Sequence, residues 1–122
     1  MPPHELTIRT KLETLILDDN HVRTKAWGRF ATLIAMCRSL KVLSMRNCAV
    51  EDTTFAGICD VLILTRRLQK IDMTRNRITD KSILQQGLVD LLKHNLCPPL
   101  EEILLESNMI TSEGAIQIIK SC

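Results

Sequence analysis

Five cysteines and three histidines are the side chains of this 122-residue chain best suited to metal binding or nucleophilic chemistry, and spacing decides whether they can act together. Cys37, Cys48, Cys59, Cys97 and Cys122 include no C-x-x-C pair, and His4, His21 and His94 stand at no zinc-finger spacing. His94 and Cys97 lie nearest each other, but no third ligand or base accompanies them, so neither a metal site nor an activated thiol is expected. Glu101 and Glu102 are adjacent; on a strand they face opposite sides, which is poor geometry for an acid–base pair. Phosphate-loop, nucleophile-elbow and zinc-protease motifs do not occur. The cysteines are expected as buried free thiols in a reducing compartment. The chain is therefore expected to be no enzyme and to hold no cofactor.

Binding chemistry remains. Ile16, Asp18, Arg46, Asp72, Arg75, Leu104 and Glu106 combine aliphatic anchors with charges of both signs, the mixture that a protein-binding face uses. They are candidates because they recur at matching places in a segment written four times: KLETLILDDNHV, LKVLSMRNCAV, LQKIDMTRNRI and LEEILLESNMI.

Leu12, Leu40, Leu68 and Leu100 align the copies, at intervals of 28, 28 and 32 residues. Three and five residues later come Leu15 and Leu17, Leu43 and Met45, Ile71 and Met73, Ile103 and Leu105. This period of two predicts short strands with one buried face, so Leu15 and Leu17 point inward and Thr14, Ile16 and Asp18 outward. Read across the copies, the outward rows are Thr14, Val42, Lys70, Glu102; Ile16, Ser44, Asp72, Leu104; and Asp18, Arg46, Thr74, Glu106. Ion pairs are expected between Asp18 and Arg46 and between Lys70 and Glu102 on a solvated sheet face. Asn20, Cys48, Asn76 and Asn108 follow each strand, where an Asn side chain can satisfy the backbone of a sharp bend and continue that bonding between stacked copies. Cys48 bonds more weakly, so the second copy should be held less tightly there.

Each copy then continues as a helix. Ala26, Phe30, Leu33, Ile34 and Cys37 form one stripe; Ile58, Val61 and Leu62, then Leu84, Leu88, Leu91 and Leu92, then Ala115, Ile118 and Ile119 repeat it. Asp52, Asp80 and Ser112 are placed to favour helix N-termini. The four extra residues of the third copy should lengthen its helix and return loop, with Pro98 and Pro99 ending the helix. Trp27 has few aromatic companions and is expected in helix packing rather than as a base-stacking platform. The repeated pattern resembles the leucine-rich repeat, and the fold this implies is α/β: a right-handed leucine-rich-repeat solenoid of four strand–helix units, with a parallel concave sheet and outer helices. The curvature follows from helices being wider than strands, roughly 10 Å against 4.8 Å. One domain over 1–122 is expected, with repeats at about 11–38, 39–66, 67–98 and 99–122 and a flank at 1–10.

A charged fraction of 25% with net charge +2 and interspersed signs gives no nucleic-acid footprint. No apolar run approaches the roughly 18 residues of a membrane span, and the opening residues do not form a secretory signal. An intracellular, cytoplasmic location follows as the expectation.

The template resembles the leucine-rich repeat, and NMITSEGAIQII at 108–119 resembles the ribonuclease-inhibitor-like class of it. In the first three copies Ala26, Thr54 and Ser82 stand where the fourth has Gly114. Proteins with such repeats include ribonuclease inhibitor, NOD-like receptors, the Ran GTPase-activating protein and the tropomodulins; the resemblance implies a module that binds another protein. Leu6 and Ile8 alternate like a fragment of an edge strand, and neither end carries a polar cap. The chain is thus expected as a fragment of a longer array, or as one whose ends associate. Two further roles stay open: a GTPase-activating fragment, with Arg23, Arg46 and Arg75 as available arginines, and a structural assembly segment.

Overall fold

Each aligned copy folds as a three-residue strand followed by helix, and the strands lie side by side in sequence order. The computed structural model describes residues 11–21, 26–84, 87–94 and 100–121. Its elements are β1 (Thr14–Ile16), α1 (Trp27–Met36), β2 (Val42–Ser44), α2 (Asp52–Leu62), β3 (Lys70–Asp72), α3 (Asp80–Leu84), α4 (Gly87–His94), β4 (Glu102–Leu104) and α5 (Ser112–Ser121). All three strand pairings are parallel, in the order β1-β2-β3-β4. The register sets Thr14, Val42, Lys70 and Glu102 opposite one another, and likewise Ile16, Ser44, Asp72 and Leu104, as the alignment requires.

The inward strand positions and the helices fill one core. Leu43, Met45, Ile71 and Met73 are fully buried, together with Ile34, Phe55, Ile58, Leu62, Ile83, Leu88 and Leu91 from the helices. On the outer strands Leu15, Leu17, Ile103 and Leu105 are only partly buried against that core. Trp27 packs there too, with its ring 5.3 Å from that of Phe30.

Two helical stripes are narrower than expected. In α1 and the residues flanking it, Ile34 and Cys37 are buried while Ala26 and Leu33 are exposed; in α5, Ile118 is partly buried while Ala115 and Ile119 are exposed. Among the described residues α1 packs on one helix, α2, and α5 packs on α3 and α4. A helix with neighbours on one side buries a thinner stripe. Phe55 and Ile83 enter the core without having been anticipated. The third unit spreads its helical residues over α3 and α4, in line with its extra length. Leu6, Ile8, Val22, Arg23, Pro98 and Pro99 lie outside the described residues, as does the Leu84 side chain.

Hydrogen bonding ties the units together at the turn after each strand. Asn76 Nδ2 donates to the Met45 carbonyl of the preceding unit (2.8 Å) and to the Met73 carbonyl of its own (2.9 Å), while Oδ1 accepts from the Cys48 and Val50 amides (3.0 and 2.9 Å). Asn108 repeats the pattern, donating to Met73 (2.8 Å) and Leu105 (3.1 Å) and accepting from the Ile78 amide (3.0 Å). Cys48 supplies half of it: its thiol donates to the Leu17 carbonyl (3.1 Å) of the preceding unit. A thiol is a weaker hydrogen-bonding partner than a side-chain amide. Immediately before each of these residues the backbone is left-handed, with φ of 62°, 52°, 60° and 57° at Asp19, Asn47, Arg75 and Ser107.

Asp52 and Asp80 open α2 and α3, where their charge suits a helix N-terminus as expected, but their hydrogen bonds run to the next unit. The cap position of α2 is Glu51, which makes no side-chain capping bond. Asp52 instead accepts from the Thr79 amide (2.8 Å) and from the Thr79 and Ser82 hydroxyls of the next unit. Asp80 accepts from the Thr111 amide (2.9 Å) and hydroxyl in the same way. A carboxylate at the first helical residue reaches the following unit's turn more readily than its own amides, so these acids staple neighbours. Burial pushes the Asp52 carboxyl up, but the bonds from Ser82 and Thr79 outweigh it and hold the group below its ordinary range.

Cys37, Cys48 and Cys59 are buried free thiols; Cys97 and Cys122 lie outside the described residues. Burial pushes the Cys48 and Cys59 thiols up. No helix among the described residues is long and apolar enough to cross a membrane.

Candidate interaction surface

The outward positions of the strands and the turns that follow them build the candidate surface. At the ends of the central strands the outward side chains are short and buried, Ser44 and Asp72 being 7% exposed and Thr74 in the turn 9%, while Val42 and Lys70 at their starts stay partly exposed. The solvated face expected there is corrected accordingly. With a neighbouring strand roughly 4.8 Å away on each side, a short polar side chain is covered by its flanking residues.

Burial forces each carboxylate to find donors. Asp72 Oδ1 accepts from the Thr74 amide (3.1 Å) and hydroxyl (2.6 Å), and Arg46 Nε lies 3.8 Å from Oδ2. Asp18 Oδ1 accepts from the Ser44 hydroxyl (2.6 Å) and the Arg46 backbone amide (2.9 Å). The expected Asp18–Arg46 ion pair is therefore replaced by an Arg46–Asp72 pair, because Asp18 is occupied by the backbone of the next turn. Lys70 and Glu102 face each other in register, yet among the described residues they form no ion pair; Lys41 with Glu13 and Arg77 with Glu51 do, each at 3.6 Å.

Asp18, Asp19, Arg46, Asn47 and Arg75 line a cavity of about 190 Å³ at the turns. Asn47 Nδ2 donates to Asp19 Oδ1 (3.0 Å), which fixes the floor between the first two units. Arg75 is exposed and, among the described residues, its guanidinium has no partner. Its φ of 60° is a conformation that a long side chain adopts at a cost, whereas Asp, Asn and Ser occupy the equivalent turns.

The seven candidates do not form one patch. Asp18, Arg46 and Arg75 meet at the cavity, with Asp72 behind Arg46. Ile16, 62% exposed, and Leu104 sit on opposite outer strands, three strand spacings or roughly 14 Å apart, so they are separate anchors. Glu106 is exposed and its carbonyl accepts the Arg75 amide (2.9 Å). Ser44, Thr74, Asp19 and Asn47 also belong to the surface. Ser44 and Thr74 were signalled by the rows, which place them beside charged residues; Asp19 and Asn47 stand one residue beyond the rows, in the turns.

A larger open cavity of about 610 Å³ lies over the starts of α2 and α3, lined by Glu51, Asp52, Thr53, Ala56, Arg77, Lys81, Ser82 and Met109. Among the described residues no group of three or more His, Cys, Asp or Glu could hold a metal. His21 is exposed; His4, Cys97 and the side chain of His94 lie outside the described residues.

Four strand–helix units on an open parallel sheet define a repeat-built α/β protein. Among solved structures, the chain is similar to the tropomodulin C-terminal domain of Caenorhabditis elegans, with 13% identity and a TM-score of 0.71 over 90% of this chain and 66% of that one. It is also similar to the actin-binding site 2 of leiomodin-1, with 17% identity and a TM-score of 0.72 over 88% of this chain and 62% of that one. At these identities the likeness is one of fold, and the chain spans less than two thirds of either structure's length. No protein-family model and no curated protein matches the sequence. The assignment to the ribonuclease-inhibitor-like class is corrected by these neighbours. In the fourth copy Gly114 lies against the Asp80 carboxylate, where a Cβ would come 2.3 Å from Oδ1, whereas in the third copy Ser82 at the same place donates its hydroxyl to Asp52.

Proposed function

We propose that the chain is a non-catalytic protein-binding module, its units wound as one right-handed solenoid domain with the sheet on the concave side. The partner is engaged through the ends of the strands and the turns after them, at Asp18, Arg46, Asp72 and Arg75, with Ile16, Leu104 and Glu106 as outlying contacts. One observation carries this reading: Arg75 keeps a long cation, unpaired among the described residues, on a left-handed turn beside a cavity, where its counterparts are short polar residues. Strain of this kind, on the order of 1 kcal/mol, points to a role other than stability. Arg46 is held beside it by a carboxylate that is itself almost fully buried.

Actin is the partner to test, because the matching leiomodin-1 structure is described as an actin-binding site. Three buried free thiols suit an intracellular protein. The experiment measures binding to monomeric and filamentous actin for the native chain and for the double variant Arg46→Glu, Arg75→Glu. Binding by the native chain, weakened at least tenfold in the variant, is the expected outcome. A folded native chain that binds neither form removes actin, and binding untouched by the double variant removes the surface.

A further inference from the structure

At the other end of the units, where helices finish and strands begin, exposed cations follow the helices, with Glu13, Asp60 and Glu101 at the same end. Arg38 follows α1 and Arg66 with Arg67 follows α2; Lys93 lies in the last turn of α4 and Lys120 in the last turn of α5. Arg38 and Arg66 are separated by the repeat interval, so they occupy equivalent turns of adjacent units. Those units touch just beyond the turns: the Lys41 amide donates to the Glu13 carbonyl (2.7 Å), and the Gln69 amide to the Lys41 carbonyl (2.7 Å). Equivalent turns therefore lie between the strand and helix spacings, roughly 5 to 10 Å apart. All five cations are exposed, and among the described residues none forms an ion pair.

Cations at helix C-termini complement the helix dipole, and that would account for one per helix end. It does not account for two adjacent arginines after α2, nor for Leu64, which is 49% exposed between the end of α2 and those arginines. Asp60 in the last turn of α2 is the nearest opposing carboxylate on that helix. An apolar anchor within a basic surround suits a protein better than a nucleic acid, since no aromatic ring accompanies it: Trp27 and Phe30 are packed against the core.

We infer that Arg38, Leu64, Arg66, Arg67 and Lys93 form a docking ridge for an extended acidic protein segment, separate from the strand-end surface. An extended chain advances about 3.3 Å per residue, so carboxylates at every second or third residue match the spacing of the turns. The ridge is independent of the actin reading.

The test uses the full chain and a twelve-residue peptide with glutamate at every third position and one central leucine, followed by NMR titration in 50 mM and 200 mM salt. Shifts should centre on Arg38, Leu64, Arg66 and Arg67, with affinity falling at least threefold at the higher salt. The variant Arg38→Gln, Arg66→Gln, Arg67→Gln, checked for native circular dichroism, should weaken binding at least tenfold. Arg46→Gln with Arg75→Gln should leave it unchanged. The inference is overturned if the glutamine version of the peptide binds equally, if shifts centre on the strand-end turns, or if the triple variant binds normally. Tighter binding by a twelve-nucleotide single strand or by phosphatidylserine vesicles also overturns it, in favour of those partners. Loss of actin binding with a retained peptide response would leave the ridge standing, and the converse would remove the ridge alone.

Discussion

Asn76 satisfies four backbone groups from two units at once, and all of them are buried. Truncation to alanine strands amides and carbonyls away from water, at about 1 to 3 kcal/mol for each group that finds no substitute. Asn76→Ala should therefore lower stability by about 3 kcal/mol in urea unfolding, and Asn108→Ala by less, because Asn108 is only partly buried. Cys48 offers the converse. Asparagine there would give the Asn20 amide a carbonyl oxygen in place of the weaker sulfur acceptor, and Cys48→Asn should raise stability by about 1 kcal/mol. The Asp52 staple carries a pH signature. Its folded value is depressed, so its contribution is complete above the ordinary carboxylate value near 4 and is lost as pH falls through the folded value. The stability gap between the native chain and Asp52→Asn should be constant at neutral pH and close below about pH 4, as measured by urea midpoints across pH.

Helices α1 and α2 meet through a glycine and an indole. A Cβ on Gly57 would fall 2.3 Å from Trp27 Nε1. Alanine gains about 1 kcal/mol of helix propensity over glycine, which roughly offsets the cost of moving one ring edge. Gly57→Ala should thus leave stability within about 1 kcal/mol of native while shifting the single tryptophan's emission to longer wavelength. Neither this contact nor the staples could be read beforehand, because periodicity reports which face a helix buries and not what it meets. The strand register, by contrast, was fully legible: four copies of L-x-x-L-x-L leave one way to align Leu15, Leu43, Ile71 and Ile103. The site residues fall between these cases. Row alignment placed Asp18 beside Arg46 and put Asp72 in the neighbouring row, but pairing depended on which carboxylate the backbone had already claimed. The exposure of Ala115 and Ile119 was hidden for a similar reason: the stripe is periodic, while the number of neighbouring helices is a property of the stack.

Across the whole molecule, burial peaks in the two central strands and declines toward β1 and β4. Leu43 and Ile71 are fully enclosed, whereas Leu15 and Ile103 keep part of their surface in water. Ile71→Ala should cost about 2 to 5 kcal/mol, and Leu15→Ala about half as much or less. Amide hydrogen exchange should rank β2 and β3 as the slowest strands and β1 as faster, since units held by fewer neighbours open at lower free energy. The side-chain rungs add one more property. Cys48, Asn76 and Asn108 each reach the same carbonyl in the unit before, at Leu17, Met45 and Met73. The fittings at the turns are interchangeable, so excising one whole period, from Met45 through Asp72, would seat Asn76 on the carbonyl of Leu17 and close the rungs of a shorter stack, leaving the helix contact at Trp27 to be rebuilt.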